Sequence, residues 1–174
     1  MGHDPSARRA GWIMLALFWM LALATGTWFY QGVLERRDHP NRHLLDDAAE
    51  PGASVVLQRN RAGHYMAAGR INGEPVDFLV DTGATHVAIS ASLAARLGLE
   101  ATGQAWFETA NGRVRGELTV LDEVRLGHLG IGSVRAVILP EIGGDRALLG
   151  MSFLNHFDIR VRDGQMVLMV PEAR

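Results

Sequence analysis

The sequence predicts an all-β fold: a small closed β barrel with one or two short helices, preceded by a long apolar helix. Short runs that are apolar or alternate in polarity follow one another from residue 54 onward. Dipeptides typical of two-residue hairpin turns separate several of these runs, namely Asn72-Gly73, Asn111-Gly112 and Asp163-Gly164. Many short strands joined by tight turns suit a barrel, because closure removes exposed sheet edges.

The elements can be placed along the chain from the same patterns. A short helix is expected over residues 91–97, capped by Ser90 or Ser92 and ended by Gly98. Strands are expected at residues 54–58, 64–70, 75–80, 87–90, 117–126, 134–139, 157–161 and 165–170, with a further hairpin over residues 106–115.

The apolar helix is predicted from residues 11–30, which carry no charge. Twenty helical residues span about 30 Å, the thickness of a bilayer's hydrocarbon core. Trp12 at one end and Trp28-Phe29-Tyr30 at the other are typical of membrane interfaces. We therefore expect residues 1–10 to form a tail and residues 11–30 a transmembrane anchor. A cleaved signal peptide is the alternative, because Ala22-Leu23-Ala24 offers a small-x-small cleavage site.

The remainder divides into a linker and one folded domain. Residues 31–53 are polar and contain two prolines, which is typical of a linker. The folded domain is expected over residues 54–171, with residues 172–174 as a tail. The flanking arginines do not decide the orientation, but the short N-terminal tail favours export of the rest. The predicted location is the inner membrane, with the folded domain on the periplasmic side.

Composition excludes several classes of function. The net charge is −2 and the basic residues are scattered, so we expect no nucleic-acid partner. The chain has no cysteine, which excludes disulfides, thiolate catalysis and cysteine metal sites. His39 and His43 are four residues apart, but Pro40 between them would interrupt a helix. We therefore expect neither a metal nor a cofactor.

A carboxylate stands at the end of a predicted buried strand. Residues 78–84 read Phe-Leu-Val-Asp-Thr-Gly-Ala, so three apolar residues run directly into Asp81. Burying an unpaired charge is costly, so an acid in this position indicates a functional site. Thr82 can hydrogen-bond across a tight bend, and Gly83 allows backbone N–H groups to approach the carboxylate.

The sequence Asp81-Thr82-Gly83-Ala84 after an apolar strand resembles the catalytic loop of the retropepsin-like aspartic proteases. The Asn111-Gly112 hairpin, about thirty residues further on, resembles the flap that covers the substrate in that family. Residues 147–150 resemble the apolar element that crosses behind the loop, and residues 151–154 the short C-terminal helix. The resemblance covers roughly residues 54–171, and the stretch from Gly63 through Gly73 to Asp81-Thr82-Gly83 resembles bacterial membrane-anchored members. It implies a retropepsin-like barrel and an aspartic endopeptidase.

The resemblance also implies that Asp81, Thr82 and Gly83 are catalytic. The chemistry needs two carboxylates on one water, and these share a proton because like charges a few ångströms apart cannot both ionise. The chain contains a single Asp-Thr-Gly, so the second carboxylate must come from a second copy of Asp81. We therefore expect an obligate homodimer with its site on the two-fold axis.

Further roles follow from the same resemblance. Thr82 would brace the two catalytic loops across the axis, and the strand at residues 165–170 would form a dimer edge. An extended peptide or protein substrate would be bound by Ala84 and by the hairpin residues Thr109, Ala110, Asn111 and Gly112. The alternative to an enzyme is a non-catalytic, membrane-tethered module for dimerisation or peptide binding on the same fold.

Overall fold

The computed structural model describes residues 5–45, 54–109, 112–140 and 146–171 of the 174-residue chain. The chain divides into two compact units, Met1–Arg37 and Asp38–Arg174. The first contains a long helix, and the second contains all the described strands.

The N-terminal helix, α1, extends from Pro5 to Asp38 and so covers the predicted anchor at residues 11–30 and some residues on either side. Its described large apolar side chains are exposed, among them Trp12, Phe18 and Trp28. Within the described ranges, however, no helix is both long and apolar enough to cross a membrane. The predicted transmembrane anchor is therefore not supported by the structure.

The second unit consists mainly of strands, as the sequence predicts. Two short α-helices interrupt them: α2 at Ala91–Arg96 and α3 at Met151–Leu154. A 3₁₀ helix at Arg42–Leu45 comes first. The strands are β1 Ser54–Gln58, β2 Met66–Ile71, β3 Glu74–Val80, β4 Val87–Ser90, β5 Gly103–Thr109, β6 Gly112–Leu126, β7 Leu129–Leu139, β8 Arg146–Leu149, β9 Asp158–Arg162 and β10 Gln165–Met169.

The predicted turn and cap residues behave as expected. Both residues of Asn72-Gly73 and of Asp163-Gly164 have positive φ, as a two-residue hairpin turn requires. The hydroxyl of Ser90 accepts a hydrogen bond from Leu93 N–H at 3.1 Å and so caps α2. The strands flanking the third predicted turn, β5 and β6, also pair as a hairpin, although Ala110 and Asn111 lie outside the described residues.

Seven strands form one sheet in the order β2-β3-β8-β4-β7-β6-β5. A second pairing between β2 and β6 closes this sheet on itself, through Arg70 opposite Arg125 and Ile71 opposite Val124. Strand β8 lies between β3, to which it is parallel, and β4, to which it is antiparallel. The chain segment between β3 and β4, which contains Asp81, therefore crosses the end of β8.

The other three strands form a separate sheet in the order β1-β10-β9. Because β10 is paired on both sides, the prediction that residues 165–170 form a dimer edge is wrong. In the described part of this sheet the outer strands are β1 and β9. The hairpin β9–β10 was predicted correctly, but local patterns could not show that β1 would cover the other side of β10.

The 3₁₀ helix and Asn41, which precedes it, connect the two sheets and add to the core. Asn41 is completely buried, and its Nδ2 donates to the carbonyls of Gln58 at 2.8 Å and Met66 at 2.7 Å. Its Oδ1 accepts from Gln58 N–H at 2.7 Å. Leu44 packs into the core that also contains Phe78 and Phe153. Part of the predicted linker at residues 31–53 therefore belongs to the folded unit, while residues 46–53 lie outside the described residues.

Candidate active site

Asp81 lies in a tight loop just beyond β3. Its N–H donates to Leu149 O at 3.1 Å, which continues the pairing of β3 with β8 by one residue. Its carbonyl accepts from Ala84 N–H at 3.2 Å, and its carboxylate Oδ1 accepts from Gly83 N–H at 2.9 Å. A side chain at Gly83 would begin 3.2 Å from that oxygen, so glycine permits the close contact. The loop therefore holds one carboxylate oxygen and leaves the other available.

The segment that follows β8 supports this loop from behind. Met151 N–H donates to Ala84 O at 2.8 Å, and Ser152 N–H donates to Thr85 O at 2.9 Å. A Cβ at Gly150 would lie 2.2 Å from His86 O, so only glycine allows the two backbones to approach this closely. We refer to residues 81–87 together with Gly150–Ser152 as the floor.

The side chain of Ser152 adds two hydrogen bonds to the floor. The Oγ of Ser152 accepts from Val87 N–H at 2.9 Å and donates to Arg135 O at 2.8 Å. Val87 is completely buried, so its N–H would otherwise lack an acceptor away from water. The side chain thus ties the end of the Asp81 loop to β7.

An open cavity of about 560 Å³ lies between this floor and the β5–β6 hairpin, which we call the roof. Asp81, Gly83 and Ala84 line it from the floor, and Phe107 and Thr109 line it from the roof. The volume is within the range that holds a ligand of several residues or a drug-sized molecule. The carboxylate therefore faces a space large enough for a substrate.

One wall of the cavity is apolar. Ala88, Val137 and Leu139 form a small buried cluster beside it, and Phe107, Val114 and Leu148 pack against that cluster. All six line the cavity. At Gly116, a Cβ would lie 2.6 Å from Leu139 Cδ2 and 2.7 Å from Val137 Cγ2, so a larger residue would push these side chains away. The wall suits an apolar side chain of a ligand.

The structure brings together part of the predicted set. Asp81, Gly83, Ala84 and Thr109 all line the cavity. Thr82 is exposed at the tip of the loop and does not line the cavity. Gly112 also lies outside the lining, although its carbonyl accepts from Thr109 Oγ1 at 2.7 Å. Ala110 and Asn111 lie outside the described residues.

Other lining residues were not singled out from the sequence. His86 lines the cavity and packs edge-on against Phe107, with the ring centroids 6.1 Å apart. Local sequence patterns do not identify the apolar wall, which includes Phe107, because its six members come from five strands.

The described cavity offers a single usable carboxylate. Glu108 also lies at its rim, but its side chain is 83% exposed and reaches Arg113 at 4.0 Å on the outer face. In the described ranges no group of three or more histidine, aspartate or glutamate side chains could hold a metal ion. In the described ranges one protomer therefore provides one suitably placed acid, whose Oδ1 accepts from Gly83 N–H, and an apolar wall.

Two curated proteins are similar to this chain in sequence. The chain is 30% identical over 123 residues to an uncharacterized protein from the cobV 5′ region of a Sinorhizobium species, covering 69% of this chain and 53% of that one. It is 28% identical over 114 residues to an uncharacterized protein of Rickettsia prowazekii, covering 59% and 45% respectively. The chain spans about half the length of these curated relatives.

A solved structure and a family profile identify the fold and the family. The crystal structure of a retropepsin-like aspartic protease from Rickettsia conorii aligns with a TM-score of 0.54 and 27% identity, covering 67% of this chain and 90% of that one. The profile described as gag-polyprotein putative aspartyl protease matches residues 67–156, which run from the second residue of β2 through α3 and include the whole floor. The chain therefore belongs to the retropepsin-like aspartic protease family.

Proposed function

We propose that the protein is a homodimeric aspartic endopeptidase that hydrolyses peptide bonds with a water activated by two Asp81 carboxylates, one from each protomer. The observation that carries this proposal is the position of Asp81 at the floor of an open cavity, in a loop fixed by backbone hydrogen bonds. Family membership supports the reaction class. Because one protomer supplies a single suitably placed acid, the site requires a second copy.

The reaction follows from the paired carboxylates. One ionised Asp81 accepts a proton from the water while the water oxygen attacks the carbonyl carbon of the peptide bond. The partner's Asp81, which carries the shared proton, donates it to the carbonyl oxygen. When the C–N bond breaks, a proton passes to the leaving amine, and a carboxylic acid and an amine result. The hydrogen bond from Gly83 N–H to Oδ1 orients each carboxylate for this exchange.

The substrate in this proposal is an extended peptide that lies between floor and roof. Ala84 and Thr109 line the cavity on opposite sides and would contact its backbone. The role of Ala110, Asn111 and Gly112 in binding the substrate stays a prediction from the sequence. The apolar wall would take a branched or aromatic side chain. Thr82, exposed at the loop tip, would face the partner's loop.

The decisive experiment compares the full-length wild type with Asp81→Asn on a diverse peptide mixture. We expect cleavage to fall by about 10³-fold or more, because an amide can neither accept nor share the proton. Asp122→Asn is the matched control, since Asp122 is an exposed residue of β6 that does not line the cavity. Unchanged cleavage by Asp81→Asn would overturn the proposal.

The non-catalytic alternative gives a different result in the same experiment. A folded wild-type dimer that binds peptides without cleaving them, with binding unaffected by Asp81→Asn, would identify a binding module. The inner-membrane location, with the barrel on the periplasmic side, stays a prediction from the sequence.

A further inference from the structure

We propose that the protein prefers peptides with an acidic residue, whose carboxylate is bound by His86 and Arg135 at one end of the cavity. This inference rests on the proposed function and adds to it a class of substrate. Three observations support it: the two side chains lie next to each other, they share a face with the apolar wall, and they have no described polar partner. We refer to His86 and Arg135 as the basic end.

The backbone places the two residues of the basic end side by side. Strands β4 and β7 run parallel, with Val87 opposite Ala136 at the start of β4. His86 and Arg135 each precede one member of this pair, so they continue the same register. The Ser152 hydroxyl links the two backbones here, because it accepts from Val87 N–H at 2.9 Å and donates to Arg135 O at 2.8 Å. Neighbouring strands lie about 4.8 Å apart, so both side chains can reach one ligand group.

Both side chains lie on the face of the sheet that carries the apolar wall. Alternate residues of a strand point to the same face. On β7, Val137 and Leu139 belong to the wall, and Arg135 is two residues before Val137. Beside it, Ala88 belongs to the wall, and His86, two residues earlier, lines the cavity with it. Arg135 is exposed and lies just beyond the lining, so the basic end extends the cavity by one row of side chains.

Neither side chain has a polar partner within the residues that the structure describes. The His86 ring packs edge-on against Phe107 and makes no described hydrogen bond, so its N–H is left for a ligand. Arg135 is bonded through its backbone carbonyl, and its guanidinium forms no described ion pair. A guanidinium beside a substrate cavity, without an acid from the protein, suits an acid supplied by the ligand.

The carboxylates of this region do not neutralise the basic end. Asp81 lies at the floor, where the proposed reaction uses it. Glu108 is 83% exposed at the rim and reaches Arg113 at 4.0 Å on the outer face. Asp122, two residues beyond the residue opposite Arg135, forms no ion pair with it in the described structure. Arg135 therefore keeps an uncompensated positive charge at the end of the cavity.

A carboxylate is the group that fits these donors. Arginine presents its N–H groups in one plane, which matches the two oxygens of a carboxylate. Histidine donates at least one N–H in either protonation state. Val120, which is opposite Arg135 and 45% exposed, offers apolar surface for the methylene groups of a glutamate side chain. We therefore expect the basic end to bind a glutamate or aspartate of the substrate.

The spacing along β7 predicts where this acid lies in the peptide. Arg135 and Val137 are two residues apart on one face, a distance of about 7 Å. An extended peptide also places every second side chain about 7 Å further along the same side. The acid should therefore be two positions from the residue that fills the apolar wall. In a two-fold dimer each protomer supplies one basic end, so the acid can lie on either side of the cleaved bond.

Peptides that differ at one position test the preference. The full-length wild type is given peptides with glutamate, glutamine or lysine at each position around a large apolar residue. Glutamate and glutamine have nearly the same shape, so their comparison isolates the charge. We expect kcat/KM to be at least about tenfold higher for glutamate two positions from the apolar residue. Equal values for glutamate and glutamine at every position would overturn the inference.

Charge reversal assigns the preference to Arg135. We expect Arg135→Glu to cleave the lysine peptide about tenfold faster than the glutamate peptide, because the pairing of charges is exchanged. The altered side chain is exposed, and the carbonyl that bonds Ser152 is retained. Arg125→Glu is the matched control, since Arg125 is an exposed residue of β6 outside the cavity lining and lies opposite Arg70. An unchanged preference in Arg135→Glu, or an equal change in Arg125→Glu, would contradict the assignment.

His86→Phe separates the two donors of the basic end. A phenyl ring keeps the edge contact with Phe107 but has no N–H. We expect the preference for glutamate over glutamine to fall about threefold, since one of two hydrogen bonds is lost. His86→Gln restores a donor and should recover most of the preference. No change in His86→Phe would exclude His86 from the basic end.

Binding of the same peptides, measured by fluorescence anisotropy, separates failure of this inference from failure of the proposed function. If the wild type cleaves peptides without a charge preference, the basic end is wrong and the proposed function stands. If it cleaves none of them but binds the glutamate peptide more tightly, and Arg135→Glu reverses this, the basic end stands and the protease function is wrong. Equal binding and equal cleavage of all three peptides would overturn the basic end.

Discussion

The floor and the roof of the cavity are held in different ways. The floor receives backbone hydrogen bonds from β8 and α3, and Ser152 ties it to β7. The roof depends on β5, which pairs only with β6 in the described structure. Its outer face is exposed, with Trp106 stacked under Arg113 at 5.0 Å. The Asp81 loop is thus held by several distant segments, whereas the outer strand of the roof has one partner strand in the described structure.

The largest effect is expected from a change that breaks the floor. In Gly150→Ala the new Cβ would lie 2.2 Å from His86 O and 2.7 Å from Ala84 O, both backbone atoms that cannot rotate away. We expect the free energy of unfolding to fall by about 3 kcal/mol, measured by denaturant titration.

A glycine of the roof supplies the control. A Cβ at Gly103 would make only an ordinary contact, 3.7 Å from Leu118 Cδ1. Gly103→Ala should therefore change stability by no more than about 0.5 kcal/mol. Equal losses in the two variants would show that floor and roof are equally constrained.

Ser152→Ala removes a side-chain brace from the floor and leaves its backbone bonds in place. The buried Val87 N–H loses its acceptor, so we expect a loss of about 2 kcal/mol in unfolding free energy. Ser92→Ala is the comparison, because Ser92 is exposed and bonds only the Ser90 hydroxyl among the described contacts. It should cost about 0.5 kcal/mol. Similar losses in both would contradict a specific role for Ser152.

Gly116→Ala alters the apolar wall, at a position where β6 lies against Leu139 and Val137 of β7. Its methyl group would displace Leu139 and Val137, so the space for a substrate side chain shrinks. If the protein is the proposed peptidase, kcat/KM for peptides with large apolar side chains should fall about tenfold relative to peptides with small ones. Gly132→Ala, whose Cβ would meet only Asp122 O at 3.5 Å, should leave this ratio unchanged. An equal decrease for both peptide sets would contradict the assignment of the wall.

The smallest effect is expected on the outer face of the roof. Arg113→Ala removes the stacking on Trp106 and a 4.0 Å ion pair with Glu108, both exposed to solvent. We expect about 0.5 kcal/mol of stability to be lost, measured by denaturant titration. A loss of about 2 kcal/mol or more would show that the contacts on the outer face stabilise the roof strongly. The roof would then be less mobile than its single partner strand indicates.

The parts of the fold that the sequence predicts well are those fixed by neighbouring residues. Asn72-Gly73 and Asp163-Gly164 select their turns through positive φ, and Ser90 caps the helix that it precedes. The loop at Asp81 was recognisable because an apolar strand ending on an acid is unusual. In each case the residues that determine the local structure lie within a few positions of it in the sequence.

The parts that were missed depend on distant pairings. Strand β10 was taken for a dimer edge because nothing near it indicates that β1, more than one hundred residues earlier, covers its other side. His86 and the apolar wall face the cavity only after β4, β7 and β8 have assembled. In the sequence Asn41 looks like a polar linker residue. Its buried hydrogen bonds could not be predicted, because their acceptors are the backbone carbonyls of Gln58 and Met66, 17 and 25 residues further along the chain.

The Asn41 contact also has a mechanical consequence. The chain enters the second unit at residue 38, so tension applied through the N-terminal helix reaches Asn41 before it reaches any strand. Three short hydrogen bonds, all to the backbones of β1 and β2, would carry that tension into both sheets at once. Asn41 would therefore protect the pairing of β1 with β10. A pulling force on the N-terminus would first have to break the hydrogen bonds of the buried Asn41 side chain before it could separate these strands.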